Sequence, residues 1–201
     1  MRGYDDIARL ARQAERLDGA RGGLPALFCL TDPKRTPDLI GLALSLPAQT
    51  GLIVRTFGLD SIREQAAELV KLRHEAGGLC LIAAEPELAL HTGADGVHWP
   101  ERWLSGANVR RSPGLISTSA HSPLALRRAS ALADLAFVST AFPSESPSAG
   151  RPMGAFRLAA FAQCSDMPVY ALGGINTRTV KRLEKLGVSG VGAIGALSSN
   201  R

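Results

Sequence analysis

Paired cysteines are missing from this chain. Its three, Cys29, Cys80 and Cys164, stand far apart, and none belongs to a spacing that would seat zinc or form a redox pair. They read as buried thiols of a reducing compartment. Aromatic residues are scarce, with two Trp, two Tyr and six Phe, so no ladder of rings accompanies the basic side chains as it does in readers of nucleic acid. The formal charge is +5, yet the arginines are scattered over helix-like segments without a basic run. This argues against nucleic acid, and an anionic small substrate explains the charge as economically. No apolar run approaches the length that spans a bilayer. The first residues, MRGYDDIARLARQAERLDG, carry acidic groups and helical periodicity where a secretory signal has an apolar centre. A cytoplasmic protein with no membrane partner is expected.

What the chain does have is an apolar fraction of 45% over 201 residues, rich in Ala, Leu, Val and Gly, as parallel strands buried on both faces require. One domain over residues 1–201 is expected. Short apolar runs alternate with helical segments, the signature of strands joined by crossover helices. The predicted strands are Ala26–Leu30, Gly51–Arg55, Gly78–Ile82, Gly96–His98, Leu115–Ser119, Leu135–Ser139, Val169–Leu172 and Gly190–Ala193. Helices are predicted over Tyr4–Leu17, over Ser61–Ala76 with Ser61 and Glu64 at capping-box spacing, and over Asn176–Leu186, with weaker ones at Pro123–Ala131 and Ala155–Cys164. Eight such units specify an α/β fold, a (β/α)₈ TIM barrel of eight parallel strands with an extra N-terminal helix.

In such a barrel, ligands sit at the C-terminal ends of the strands, and phosphate sits at the loops after strands seven and eight. Those ends are Gly173-Gly174-Ile175 and Ala193-Ile194-Gly195, where glycines let backbone N–H groups approach an anion. Arg55 ends strand two, facing either a ligand or an ion-pair partner such as Glu85 or Asp32. His98 ends strand four, as an acid/base group or as a packed histidine. Ser119 and His121 end strand five, Ser119 as a hydrogen-bonding group and His121 as a helix cap or a pocket residue. Asp32 either orients Arg55 or shapes the turn before Pro33. The Ser- and Pro-rich run from Pro143 to Pro152 reads as a mobile loop over the mouth, either a lid or an ordinary surface loop.

The segments Leu27-Phe28-Cys29-Leu30-Thr31-Asp32, Ala94-Asp95-Gly96-Val97-His98, Ser119-Ala120-His121-Ser122 and Pro168-Val169-Tyr170-Ala171-Leu172-Gly173-Gly174-Ile175, in this order, resemble strands of the thiamine phosphate synthase and TenI superfamily. The resemblance runs from Leu27 to Leu197. It implies a barrel that either couples a pyrimidine methyl diphosphate to a thiazole phosphate with Mg²⁺, or isomerises a thiazole carboxylate phosphate by proton transfer. Several family positions have changed. The Asn-Asp pair expected after strand three is Ala83-Ala84, and the Asp expected after strand four is Trp103. The basic residue two places beyond the strand-two arginine is Phe57. The lysine of the strand-six loop falls near Pro147, with Arg151 close enough to substitute. The histidine of the isomerases aligns near Thr140, so His98 or Glu145 would have to take over proton transfer.

Mg²⁺ is thus implied by the resemblance while its carboxylate ligands are absent, and no metal-ligating residues are assigned. The reading is a divergent member that binds a phosphorylated thiazole through Gly173, Gly174, Ile194, Gly195 and Arg151, with Arg55, His98 and Ser119 as catalytic candidates. Two other readings stand beside it. One is a non-catalytic or regulatory protein for thiazole or thiamine phosphate, and the other is a barrel enzyme for a different small phosphorylated substrate. A homodimer is left open.

Overall fold

The structure, a computed structural model, describes residues 2–144, 146 and 149–194, with the side chains of 2–4 excepted. Eight apolar runs form eight parallel strands: β1 (Leu27–Leu30), β2 (Gly51–Val54), β3 (Cys80–Ala83), β4 (Gly96–Trp99), β5 (Leu115–Ala120), β6 (Leu135–Val138), β7 (Val169–Leu172) and β8 (Gly190–Ile194). Each pairs with the next, and β8 closes onto β1 with Cys29 opposite Ala193. The fold is therefore the expected (β/α)₈ barrel. Helices α1 (Arg2–Ala14), α2 (Leu39–Ser45), α3 (Asp60–Arg63), α4 (Ala66–Glu75), α5 (Pro86–Thr92), α6 (Gly106–Arg111), α7 (Pro123–Ala129) and α8 (Ala155–Gln163) surround it. Among the described residues, no helix is long and apolar enough to cross a membrane.

Residues with little side chain make room for those with much. Phe28, Phe137 and Tyr170 fill the barrel, with ring centroids 5.3–5.5 Å apart. A Cβ at Gly51 would stand 2.1 Å from the Phe28 ring, and one at Gly190 2.4 Å from the Tyr170 ring. Two small positions on neighbouring strands thus admit the aromatic plug, and the Tyr170 hydroxyl is satisfied by donating to the Pro25 carbonyl at 2.8 Å. At the opposite, N-terminal end of the barrel, aspartates before two strands have a structural purpose. Asp95 accepts the first amide of β3, from Cys80, and Asp134 accepts that of Ile116 in β5, both at 2.7 Å. Each carboxylate thereby satisfies an amide within the first two residues of its strand.

Three local expectations are corrected. The predicted helix Ser61–Ala76 is broken between α3 and α4, and Leu59 rather than Ser61 precedes its start, without a side-chain cap. The Gln65 side chain bonds the Ser61 carbonyl at 2.7 Å, occupying an acceptor that a continuous helix would use. In place of the helix Asn176–Leu186 there is only a 3₁₀ turn, Val180–Leu183. The Asn176 side chain accepts the amides of Arg178 and Thr179 at 2.9 and 3.0 Å, which folds the chain into a tight turn first. Cys164 is exposed, whereas burial pushes the thiols of Cys29 and Cys80 up to about 12.

No sequence pattern announced Arg73. Its guanidinium is fully buried and donates to the carbonyls of Ala43, Leu46, Pro47 and Thr50, at distances between 2.9 and 3.3 Å. It satisfies the end of α2 and the loop into β2 in one step.

Candidate functional site

The C-terminal mouth is built from strand ends. At β1 and β2, the Arg55 backbone N–H donates to the Thr31 hydroxyl at 2.8 Å, and its Nε to the Thr31 carbonyl at 2.6 Å. A terminal guanidinium nitrogen lies 3.5 Å from Asp32 Oδ2. Asp32 also shapes its own turn, accepting the amides of Lys34 and Arg35 at 3.1 Å, so both roles foreseen for it are realised. Burial lowers the Arg55 pKa, Asp32 opposes that shift, and Arg35 adds to it. Glu85, the other foreseen partner, is engaged by Arg63 Nε at 2.8 Å and by the Thr56 hydroxyl. Arg55 stacks 5.0 Å from the centre of the Phe57 ring, and Arg102 does the same over Trp103 at 4.7 Å. Aromatic rings that carry guanidinium groups therefore occupy two of the positions, Phe57 and Trp103, where the resemblance implies a basic or acidic residue.

His98 lies deeper than its position in the sequence suggested. It is only 4% exposed and packs edge-on to Phe137 at 5.6 Å. Its Nδ1 is 2.9 Å from Ser117 Oγ, and its Nε2 is 3.3 Å from Ser119 Oγ. Burial lowers its pKa to about 3, with the Arg55 charge as a smaller contribution. At neutral pH it is thus an uncharged link that orients the Ser119 hydroxyl. The residue the sequence left undecided, His121, is the one that reaches solvent. Its ring bonds Glu101 at 2.6 Å. Beside Ser119 opens a pocket of about 510 Å³, whose walls include Glu101, Arg102, His121 and Arg128.

Across the mouth, Gly173 and Gly174 follow β7 with φ of 93° and 65°. A Cβ on Gly174 would stand 2.4 Å from the Pro143 carbonyl oxygen, so the turn depends on glycine for both its conformation and its closeness to the β6 loop. The Gly174 carbonyl accepts from the Thr179 hydroxyl at 2.8 Å. The amides of Gly174 and Ile175, by contrast, find no acceptor among the described residues. Ile194 ends β8 opposite Leu30, while Gly195 lies outside the described residues. Arg151 is exposed on the β6 loop, which is tied back by Gly150 N–H to Thr140 Oγ1 at 3.0 Å and Met153 N–H to the Thr140 carbonyl at 2.9 Å. Glu145 and Pro147 lie outside the described residues, so the lid expectation is traced only at its ends. Sequence reading also missed Arg182, whose guanidinium stacks 5.0 Å from the centre of the Phe142 ring, next to this turn.

A hard divalent ion is a poor fit to the side chains at the family's metal positions. Ala83, Ala84 and Trp103 supply no oxygen ligand, and the nearby carboxylates Asp32 and Glu85 are already paired with arginines. Among the described residues no group of three metal-ligating side chains comes together.

The fold is shared with a thiamine phosphate pyrophosphorylase from Pyrococcus furiosus, at a TM-score of 0.70 and 24% identity over 84% of each chain. A putative thiamine-phosphate synthase 2 from Aquifex aeolicus is 32% identical over 85% of this chain and 96% of its own length. A thiamine-phosphate synthase from Synechococcus is 27% identical over 98% of this chain, which spans 59% of that longer protein. Residues 50–197 match the family model described as thiamine monophosphate synthase, and with the barrel and its mouth in place the chain belongs to that family.

Proposed function

We propose that the protein is an enzyme of thiamine biosynthesis whose mouth binds a phosphorylated thiazole, with the phosphate on the turn after β7. The observation that carries this reading is the pair of amides at Gly174 and Ile175 that find no acceptor among the described residues, on the turn after β7, at the same end of the barrel as Arg55 and Ser119. Consecutive free N–H groups in a glycine turn can receive an anion without any side chain. Arg55 is held at its inner end by Thr31 and Asp32, and its second terminal nitrogen is left to take a ligand oxygen.

Coupling to a pyrimidine diphosphate is one chemistry such a mouth could carry. Arg55 and Arg102 would then neutralise charge in place of a divalent ion. Isomerisation of a thiazole carboxylate phosphate is the other, and it needs a proton-transfer group but no metal. Ala83-Ala84 and Trp103, which bring no metal ligand, favour the second chemistry or a pocket that binds without turnover.

The test is an NMR titration of ¹⁵N-labelled protein with thiazole phosphate. Shifts concentrated at the Gly174 and Ile175 amides are expected, and their absence at saturating ligand would sink the phosphate assignment. Incubation with both synthase substrates, with Mg²⁺ and with EDTA, then separates the chemistries. Thiamine phosphate formed only with Mg²⁺ would contradict the metal-free reading.

A further inference from the structure

Two histidines stand on the β4–β5 side of the mouth, and only one can exchange protons with a ligand. His98 is sealed under Ser119. His121, just beyond β5, has a side chain 58% exposed and lines the same pocket as Ser119. Its Nδ1 lies 2.6 Å from Oε2 of Glu101, and that oxygen also accepts the His121 backbone N–H at 2.8 Å. Glu101 comes from the 3₁₀ turn Glu101–Trp103 after β4, so a second element holds the ring. A carboxylate can only accept, so Nδ1 is the donor, and the lone pair of the neutral ring lies on Nε2. This is how a carboxylate orients an imidazole for general acid/base work. Arg102 and Arg128 line the pocket as well, and neither forms an ion pair among the described residues. The pocket thus offers two positive groups to an anionic ligand group.

We propose that Glu101 and His121 form the proton-transfer pair of this mouth, with His121 Nε2 as the catalytic group and Glu101 as its positioning residue, acting on a phosphorylated heterocycle that carries a carboxylate. The proposal rests on the thiazole phosphate reading above and names the group that would serve where Thr140 replaces the isomerases' histidine. In the first step the Nε2 lone pair takes a proton from a carbon next to the ring, and the C–H electron pair enters the ring's conjugated system. In the second, a pair from another carbon of that system takes the proton back from Nε2–H. No atom is oxidised or reduced, no group leaves, and no co-reactant is required. Glu101 remains ionised and offsets the imidazolium, while Arg102 and Arg128 receive the ligand's carboxylate.

Thiazole carboxylate phosphate in D₂O, with the signal of its ring-adjacent methylene followed by NMR and its affinity by calorimetry, tests the pair. The protein should wash that signal out. His121→Ala should slow the exchange about 100-fold or more with Kd unchanged, and free imidazole should restore part of the rate. His121→Gln, which keeps the side chain's bulk, should be equally slow and separates loss of the base from loss of fold. Glu101→Gln retains an acceptor for both N–H groups and should lower the rate about tenfold at constant KM; Glu101→Ala should lower it further. Binding without exchange, or exchange at full rate in His121→Ala, overturns the pair. If neither thiazole phosphate nor thiazole carboxylate phosphate binds the unmodified protein, the functional reading fails instead, and the assignment of this substrate fails with it.

Discussion

On the β7 side of the mouth the proposed anion site is made of main-chain amides, at Gly174 and Ile175, whereas on the β2–β4 side the groups proposed for it are guanidinium groups stacked on rings, Arg55 over Phe57 and Arg102 over Trp103. The first kind of site is written into the backbone. It survives almost any side-chain change that leaves the glycines alone. The second depends wholly on side-chain identity, and Phe57 and Trp103 there are among the positions where the chain differs from what the resemblance implies. On the proposed reading a phosphate site persists while the chemistry beside it changes, because the two are held by different parts of the polymer.

His98 sits between the halves, and acid should break their connection most strongly. The unfolded chain takes up a proton at His98 near pH 6.5, whereas the folded chain refuses it until about pH 3. The stability that neutral His98 contributes is therefore complete above about pH 6.5 and is lost as pH falls toward 3, by at most about 4–5 kcal/mol at 1.36 kcal/mol per unit. Urea midpoints measured from pH 7 to pH 4 should fall, and His98→Gln should flatten that fall. An equal slope in the variant would assign the acid sensitivity to another group.

Arg55→Ala attacks the guanidinium half. Affinity for thiazole phosphate should drop about 100-fold, roughly 2.7 kcal/mol, in calorimetry. Stability should also fall by about 1–3 kcal/mol in denaturant, because the Thr31 carbonyl and Asp32 lose their partner. Intact binding in this variant would leave the amide turn to act alone.

Restoring carboxylates would sharpen the comparison from the other direction. Ala84 has φ of 59°, a conformation that Asp tolerates better than Ala, so Ala84→Asp should not destabilise the fold. Combined with Trp103→Asp, it should let excess Mg²⁺ stabilise the protein by about 1–3 kcal/mol in thermal melts. No Mg²⁺ response would show that the surrounding turns, as well as these side chains, have left the metal geometry. The smallest effect on stability is expected from Arg151→Ala, within about 0.5 kcal/mol of unchanged, since the residue is exposed; lost thiazole phosphate affinity beside that unchanged stability would place Arg151 on the phosphate.

Much of the fold could be read from the sequence. All eight strands fall within two residues of their expected starts and ends, because strands buried on both faces are mostly apolar, with β4 and β5 interrupted by His98 and by Ser117-Thr118-Ser119. The helices were read less well wherever side chains compete with the backbone, as Asn176 and Gln65 do. The glycine turn after β7 was legible because only glycine satisfies its φ values and its contact with Pro143. The roles of the two histidines were not. Both follow apolar strand residues, and nothing local distinguishes a ring that Phe137 and two serines enclose from one that a distant Glu101 holds in solvent.

Strand count, the parallel barrel and the place of the glycine turn after β7 were already legible in the order of residues, as were Ala83, Ala84 and Trp103 at positions where the resemblance implies metal ligands. These are properties of periodicity and of single residues. Which partner Arg55 takes, that His98 is too deeply buried to titrate near neutrality, and that Glu101 meets His121 were decided only by the closed barrel. Each of those facts depends on residues about twenty or more positions apart along the chain, or on water being excluded, and a strand's own sequence encodes neither.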